Sequence, residues 1–179
     1  MQTITISRTV RGLLASAVLG LMAAAPAWAV SADQNKPAEV HVMGQTVLEM
    51  PLADGVSMDD AAESLKQRAN TLNFKLVAEL PLSEQVAAMT GKPQKRMTIY
   101  EFCDAVTAQK MVKANAAFAA FLPCRIALVE GDDGKAKLIM LGLDDLIKAA
   151  KLAPELAPLA TDVRNKLMNI LKAGANGDL

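Results

Sequence analysis

The sequence predicts an α+β domain, a largely antiparallel sheet with helices packed on one face, and three observations carry that reading. Short β-prone runs are separated by longer segments whose apolar residues recur at helical spacing. Residues 125–129 and 137–141 flank Gly131-Asp132-Asp133-Gly134, a turn composition that makes them a hairpin. Strands and helices are mixed without a repeating strand–helix unit, which suits helices segregated to one face of the sheet.

The elements follow in order. Residues 31–39 are polar, include Pro37, and read as a mobile tether. Residues 41–43 and 46–48 form short extended runs around Gly44. Ser57 with Asp60 three positions on resembles a capping box, and Ala61, Ala62, Leu65, Ala69 and Leu72 make one helical stripe closed by Asn73. Residues 74–78 read as a strand. Residues 81–89 read as a short helix ended by Gly91 in the left-handed conformation. Residues 97–102 are the clearest strand by β-propensity. Asp104 caps a helix whose stripe runs from Ala105 to Ala119, with Pro123 as its stop. After the hairpin, Asp144 or Asp145 starts a helix to Lys151. A last helix after Pro154 carries Leu156, Leu159, Val163, Leu167, Ile170 and Leu171 on one face, available either to the monomer's own core or to a partner.

The first residues carry a different signal. Arg8 and Arg11 are the only charges before an apolar stretch over 12–25, which closes with Pro26 and Ala27-Trp28-Ala29. A positive start, a short apolar segment and a small-x-small end describe a cleavable secretory signal, cut after Ala29. A spanning anchor asks for about 20 apolar residues, and no later stretch is that long and apolar. The expected organisation is a signal over 1–29, a polar tether and first strand over 30–45, a core domain over 46–152, and a C-terminal helix and tail over 153–179. The expected destination is the periplasm or the exterior.

Loss of Arg8 and Arg11 leaves 17 basic against 19 acidic residues, a net charge of −2. That balance, without a basic patch, speaks against nucleic acid and acidic membranes as partners. The aromatics left (Phe74, Tyr100, Phe102, Phe118 and Phe121) are too few for a typical sugar platform.

Two blocks carry a family resemblance. Tyr100-Glu101-Phe102-Cys103-Asp104-Ala105 and, about twenty residues on, Leu122-Pro123-Cys124-Arg125 before the hairpin are similar to signatures of the domain of unknown function 302 family. The resemblance runs from about Thr46 to Ala150. It implies a small TATA-binding-protein-like fold, pairing into homodimers, and no established enzymatic activity. Family members often carry Asn-Pro after the first cysteine, where this chain has Asp104-Ala105.

The catalytic inventory is thin. His41 is the only histidine, beside the tether, so nucleophilic systems that need an imidazole have one poorly placed choice. Cys-x-x-Cys, His-Glu-x-x-His, glycine-loop and Ca²⁺-loop motifs are missing. Asp59/Asp60 and Asp144/Asp145 stand at helix starts, where the helix dipole accounts for them. Cys103 and Cys124 are the informative pair. In an oxidising compartment a disulfide is the default. A parallel crossover between their strands would hold them too far apart, whereas an antiparallel return would bring them together. Alternatively one or both are soft ligands for haem b iron or copper, with a methionine (Met43, Met50, Met97, Met111 or Met140) or His41 beside them. At a helix N-terminus the Cys103 thiol is favoured as thiolate, with adjacent Asp104 opposing. Arg125 is expected to pair with Glu101 or to hold an anionic group, and Tyr100 is a further ligand-binding candidate. The leading expectation is a non-enzymatic exported homodimer holding a soft ligand through cysteine. A thiol- or sulfur-handling protein using Cys103, and a purely structural domain with paired or buried cysteines, are the alternatives.

Overall fold

Residues 36–178 are described in the computed structural model of the chain. The elements run β1 (Ala38–Val42), β2 (Gln45–Pro51), α1 (Met58–Thr71), β3 (Lys75–Leu80), α2 (Leu82–Thr90), β4 (Met97–Cys103), α3 (Ala105–Ala114), a 3₁₀ helix (Ala116–Phe121), β5 (Cys124–Glu130), β6 (Ala136–Leu141), α4 (Leu143–Ala150) and α5 (Ala157–Asn176). The strands form one six-stranded sheet in the order β1-β2-β6-β5-β4-β3, and each neighbouring pair is antiparallel. The expected α+β class holds. The expected export signal over 1–29, with its cut at Ala29, lies outside the described residues. Among the described residues, no helix is long and apolar enough to cross a membrane.

The period of two along each strand builds the core. Leu48 and Met50 on β2, Tyr100 and Phe102 on β4, Ile126 and Leu128 on β5, and Leu138 and Met140 on β6 are all buried on one face. Against them lie Ala61, Leu65 and Ala69 of α1 and Leu167, Ile170 and Leu171 of α5. The C-terminal stripe therefore closes the monomer's own core, and α5 is central to the domain rather than an appendage. Hydrophobic burial of these side chains, at roughly 1.5–3 kcal/mol for each leucine and isoleucine and less for the alanines, is the main force holding the two helices to the sheet.

Local chemistry sets the ends. Ser57 Oγ accepts from the Asp60 N–H at 3.1 Å, and the Asp60 carboxylate accepts from the Ser57 N–H at 3.2 Å, completing the capping box at the start of α1. The Ser57 hydroxyl, donating to the Asp60 carboxylate at 2.6 Å, and then the Ser57 N–H hold this exposed carboxyl below its ordinary value. Met43 and Gly44, at φ 51° and 76°, make the two-residue turn of the β1–β2 hairpin. The hairpin is longer than expected, because Ala38 and Glu39, read from composition as tether, pair with Glu49 and Leu48.

Two expectations about helices need correction. The helix after Asp104 ends at Ala114, not near Ala119. Asn115 adopts an extended backbone, its side chain accepts from the Ala117 N–H at 2.9 Å, and a 3₁₀ turn follows. Asx capping of this kind competes directly with helix continuation. In α4 the N-cap is Gly142 without a side-chain bond. Asp144 instead pairs with Arg164 of α5 at 2.7 Å, and Asp145 accepts from the Thr46 hydroxyl of β2 at 2.7 Å. The two acids tie α4 to its neighbours.

The closest approach in the core is at Gly174. A Cβ there would lie 2.6 Å from Leu65 Cδ2 and 2.9 Å from Leu138 Cδ1. Alanine would gain up to about 1 kcal/mol of helix propensity, but overpacking typically costs about 1–3 kcal/mol. Gly174→Ala is therefore expected to lower the thermal unfolding midpoint by several degrees; an equal or higher midpoint would show that α5 and α1 have room to separate.

Candidate functional site: a thiol-walled cavity

The β4–β5 pairing positions the two cysteines. Their antiparallel register sets Phe102 opposite Cys124, with Glu101 opposite Arg125. Cys103 is one residue past that pair, at the same end of the sheet as Cys124. The arrangement is the antiparallel return, not the parallel crossover that would have separated the cysteines. Both sulfurs are free thiols, and both residues are half-buried.

Beside them lies a cavity of about 390 Å³, within the size range of small-molecule sites. Cys103, Cys124, Phe74 and Phe102 form its sheet-side wall. Met111 of α3 and Phe118 and Phe121 of the 3₁₀ helix cover it, and Leu146, Ile147 and Val163 of α4 and α5 close the far side. Three polar residues reach the lining, and each is occupied. The Asp104 carboxylate accepts from the N–H groups of Val106 and Thr107, both at 3.2 Å, and from the Thr107 hydroxyl at 2.9 Å. Asn115 caps the 3₁₀ helix. Burial opposes the Asp104 charge, but the Thr107 bonds, Lys166 and the Val106 N–H together hold its carboxyl below the ordinary value. The space thus meets apolar carbon, two thiols and a thioether, with no uncommitted charge among the described residues.

The electrostatics of the thiols differ from the expectation for Cys103. Burial raises its thiol and the adjacent Asp104 raises it further, so the field at the start of α3 does not prevail. Cys124 is pushed up to about 11, by burial first and by nearby Cys103 second, with Arg125 opposing. Both thiols are neutral at physiological pH. A nucleophilic thiolate is therefore not the resting state of either residue.

The remaining sequence candidates lie elsewhere. His41 is on β1, three strand steps from Cys124, or about 14 Å at the usual inter-strand spacing. It faces Thr46 and does not line the cavity. Among the described residues, no three His, Cys, Asp or Glu side chains come together as a metal-binding group. Of the five methionines considered, only Met111 shares the cavity with the cysteines. Arg125 is exposed beside Glu101 in the ladder, yet the two form no ion pair. Tyr100 is a core residue, wholly buried, with the Lys66 ammonium 5.6 Å from its ring centre and no hydrogen-bond partner for its hydroxyl. Burial first, then Glu79, raises its pKa. Sequence reasoning missed the helical walls of the cavity: Val163 reads only as part of an apolar stripe, and nothing in the pattern singles out Leu146 and Ile147 of the preceding helix.

Linkage gives these thiols a signature. A folded-state pKa above the unfolded value stabilises the fold below the unfolded pKa and loses that contribution as pH rises toward the folded one. The Cys124 contribution should hold up to about pH 9 and disappear between there and about pH 11. Thermal melts of wild type and Cys124→Ala across this window are expected to converge by several degrees; a constant difference would show that Cys124 is not held neutral.

Comparison with known proteins places the fold. The family model described as Domain of unknown function DUF302 matches residues 49–174. An uncharacterized protein of Aquifex aeolicus (strain VF5) is 26% identical over 110 residues, covering 62% of this chain and 69% of that one. The crystal structure of an uncharacterized conserved DUF302 protein from Bacillus stearothermophilus superposes with a TM-score of 0.60 at 20% identity, covering 71% of this chain and 96% of the other. The match extends from β2 nearly to the end of α5, across every wall of the cavity, and the chain belongs to the DUF302 family.

Proposed function

We propose that this is an exported, non-enzymatic, homodimeric binding protein that seats a small, soft, predominantly apolar ligand in the cavity against Cys103 and Cys124. The observation that carries the reading is the joint placement of both thiols on the wall of one apolar space. Burying apolar ligand surface drives such binding, and the neutral, polarisable sulfurs add contact without a desolvation penalty for charge. An anionic ligand finds no uncommitted cation in the lining. Haem b is the soft ligand to try first: its iron would take a cysteine sulfur, deprotonated by the metal, its macrocycle an apolar slot, and its two propionates would stay in solvent outside the apolar lining. The sulfur-handling alternative loses support from the neutral state of both thiols, and the purely structural one leaves the cavity without a role.

Pairing of two copies has a surface to use. On the sheet face away from α1 and α5, Val47, Ile99, Ala127, Ile139 and Leu141 form a half-buried apolar patch. Unpaired Glu101 and Arg125 border it and could meet their counterparts across a two-fold axis.

Titration with the neutral fluorophore N-phenyl-1-naphthylamine, its anionic relative anilinonaphthalene sulfonate, and haem tests the binding. The neutral probe is expected to saturate at one per chain, with the anionic one about ten-fold weaker or worse. Ala150→Phe, which fills the cavity from α4, should abolish neutral-probe binding while the protein still melts cooperatively. Haem is expected to displace the probe and to show a Soret band that shifts in Cys124→Ala; probe binding without a Soret band would restrict the ligand to metal-free molecules. Failure of the neutral probe and haem alike to saturate would overturn the proposal.

A further inference from the structure

The segment covering the cavity is built unlike α1 and α5, the helices that close the core. Residues 104–123, the whole β4–β5 connection, comprise α3 and the 3₁₀ helix, and the backbones of these two elements pack substantially only on each other. Thr107 is the one buried residue of α3, and the 3₁₀ helix has none. Val106 and Phe121 stand 65% and 52% exposed. By contrast α1 and α5 are bound to each other and to the sheet through wholly buried side chains. Between the covering segment and α4 and α5 lies the cavity itself, so the segment rests on empty space. Few buried contacts and exposed apolar side chains mark it as an element that opens at low free energy.

Its two stems are the cysteines. Cys103 is the last residue of β4 and Cys124 the first of β5, so every residue of the covering segment lies between them in sequence. The Phe102–Cys124 register puts the two cysteine Cα atoms about 6 Å apart, inside the range a disulfide spans. Both residues line the same cavity, with Cys103 at the strand end where β4 gives way to the cap of α3.

We propose that the β4–β5 connection is a flap over the cavity and that a Cys103–Cys124 disulfide, made by exchange with a low-molecular-weight disulfide, clips it shut. One protein thiol gives its proton to solvent and attacks a sulfur of the small disulfide, expelling one thiolate and leaving a mixed disulfide. The second protein thiol, likewise deprotonated, displaces the remaining half. Two protein thiols are oxidised to one disulfide, and the small disulfide is reduced to two thiols. Neutral, half-buried sulfurs exchange slowly while the flap is down and readily once it lifts, so oxidation captures the protein after an opening. A cross-link at the base of a long connection removes much of its freedom. The effect on ligand entry rests on the binding reading above; the disulfide and the flap do not.

The test compares reduced protein with protein treated with oxidised glutathione in mildly alkaline buffer. Mass spectrometry with alkylation is expected to show both thiols lost and two hydrogens gone within one chain. Amide exchange over residues 104–123, fast in the reduced protein, should slow in the oxidised one. Stopped-flow mixing with N-phenyl-1-naphthylamine should then give association at least about ten-fold slower after oxidation, reversed by reductant. Two thiols that stay alkylatable, or that end only as glutathione adducts or cross-linked dimers, overturn the clip. An intrachain disulfide with unchanged exchange over 104–123 overturns the flap. Should the reduced protein not bind the probe, the binding reading fails, while thiol count and exchange still decide the clip and the flap.

Discussion

The antiparallel pairing of β4 with β5, in the register that sets Phe102 against Cys124, is the constraint on which the rest of the site depends. It brings the ends of a long connection to within one residue pair of each other, forcing the connection to fold back over the end of the sheet. It also delivers Tyr100, Phe102, Ile126 and Leu128 to the face that receives α1 and α5. A slip of one residue would turn those four side chains to the opposite face, so the burial that stabilises the core also fixes the geometry of the cysteines.

The domain divides its packing unevenly. Around Gly174 two helices and the sheet meet at distances that leave no room for a methyl group. At the other end of α5, Ala160 and Val163 face a space of about 390 Å³. An aliphatic core with few aromatics packs tightly where the elements are held by long stripes of Leu and Ile. The connection of residues 104–123, built of alanines with two phenylalanines and a methionine on its inner side, does not fill the volume it covers. That contrast separates a rigid scaffold from a loosely held cover, a division that binding proteins use to admit ligands without disturbing the fold.

Burial decides the chemistry of the thiols. The amide field at the start of α3 favours thiolate, yet desolvation and the Asp104 carboxylate, itself engaged in capping that helix, prevail. Capping and thiol activation compete for one helix end, and here the cap takes it. Asp104 thus has a local structural role, through its bonds to Val106 and Thr107.

Much of the scaffold was legible in the sequence because its signals are local. The Ser57–Asp60 capping box, the left-handed Gly91, the β6 hairpin and the α5 stripe depend on neighbours within a few residues, and each appears close to where the pattern placed it. The misplaced boundaries have local causes too weak to read alone, such as the Asn115 bond that ends α3. What only the tertiary structure decided is strand pairing: whether the helix between Cys103 and Cys124 returns its strand parallel or antiparallel. Composition and periodicity are the same in both cases, since the direction is chosen by contacts between residues distant in sequence. That choice turned two separate cysteines into one cavity wall, left His41 three strands away, and assigned the C-terminal stripe to the monomer's core.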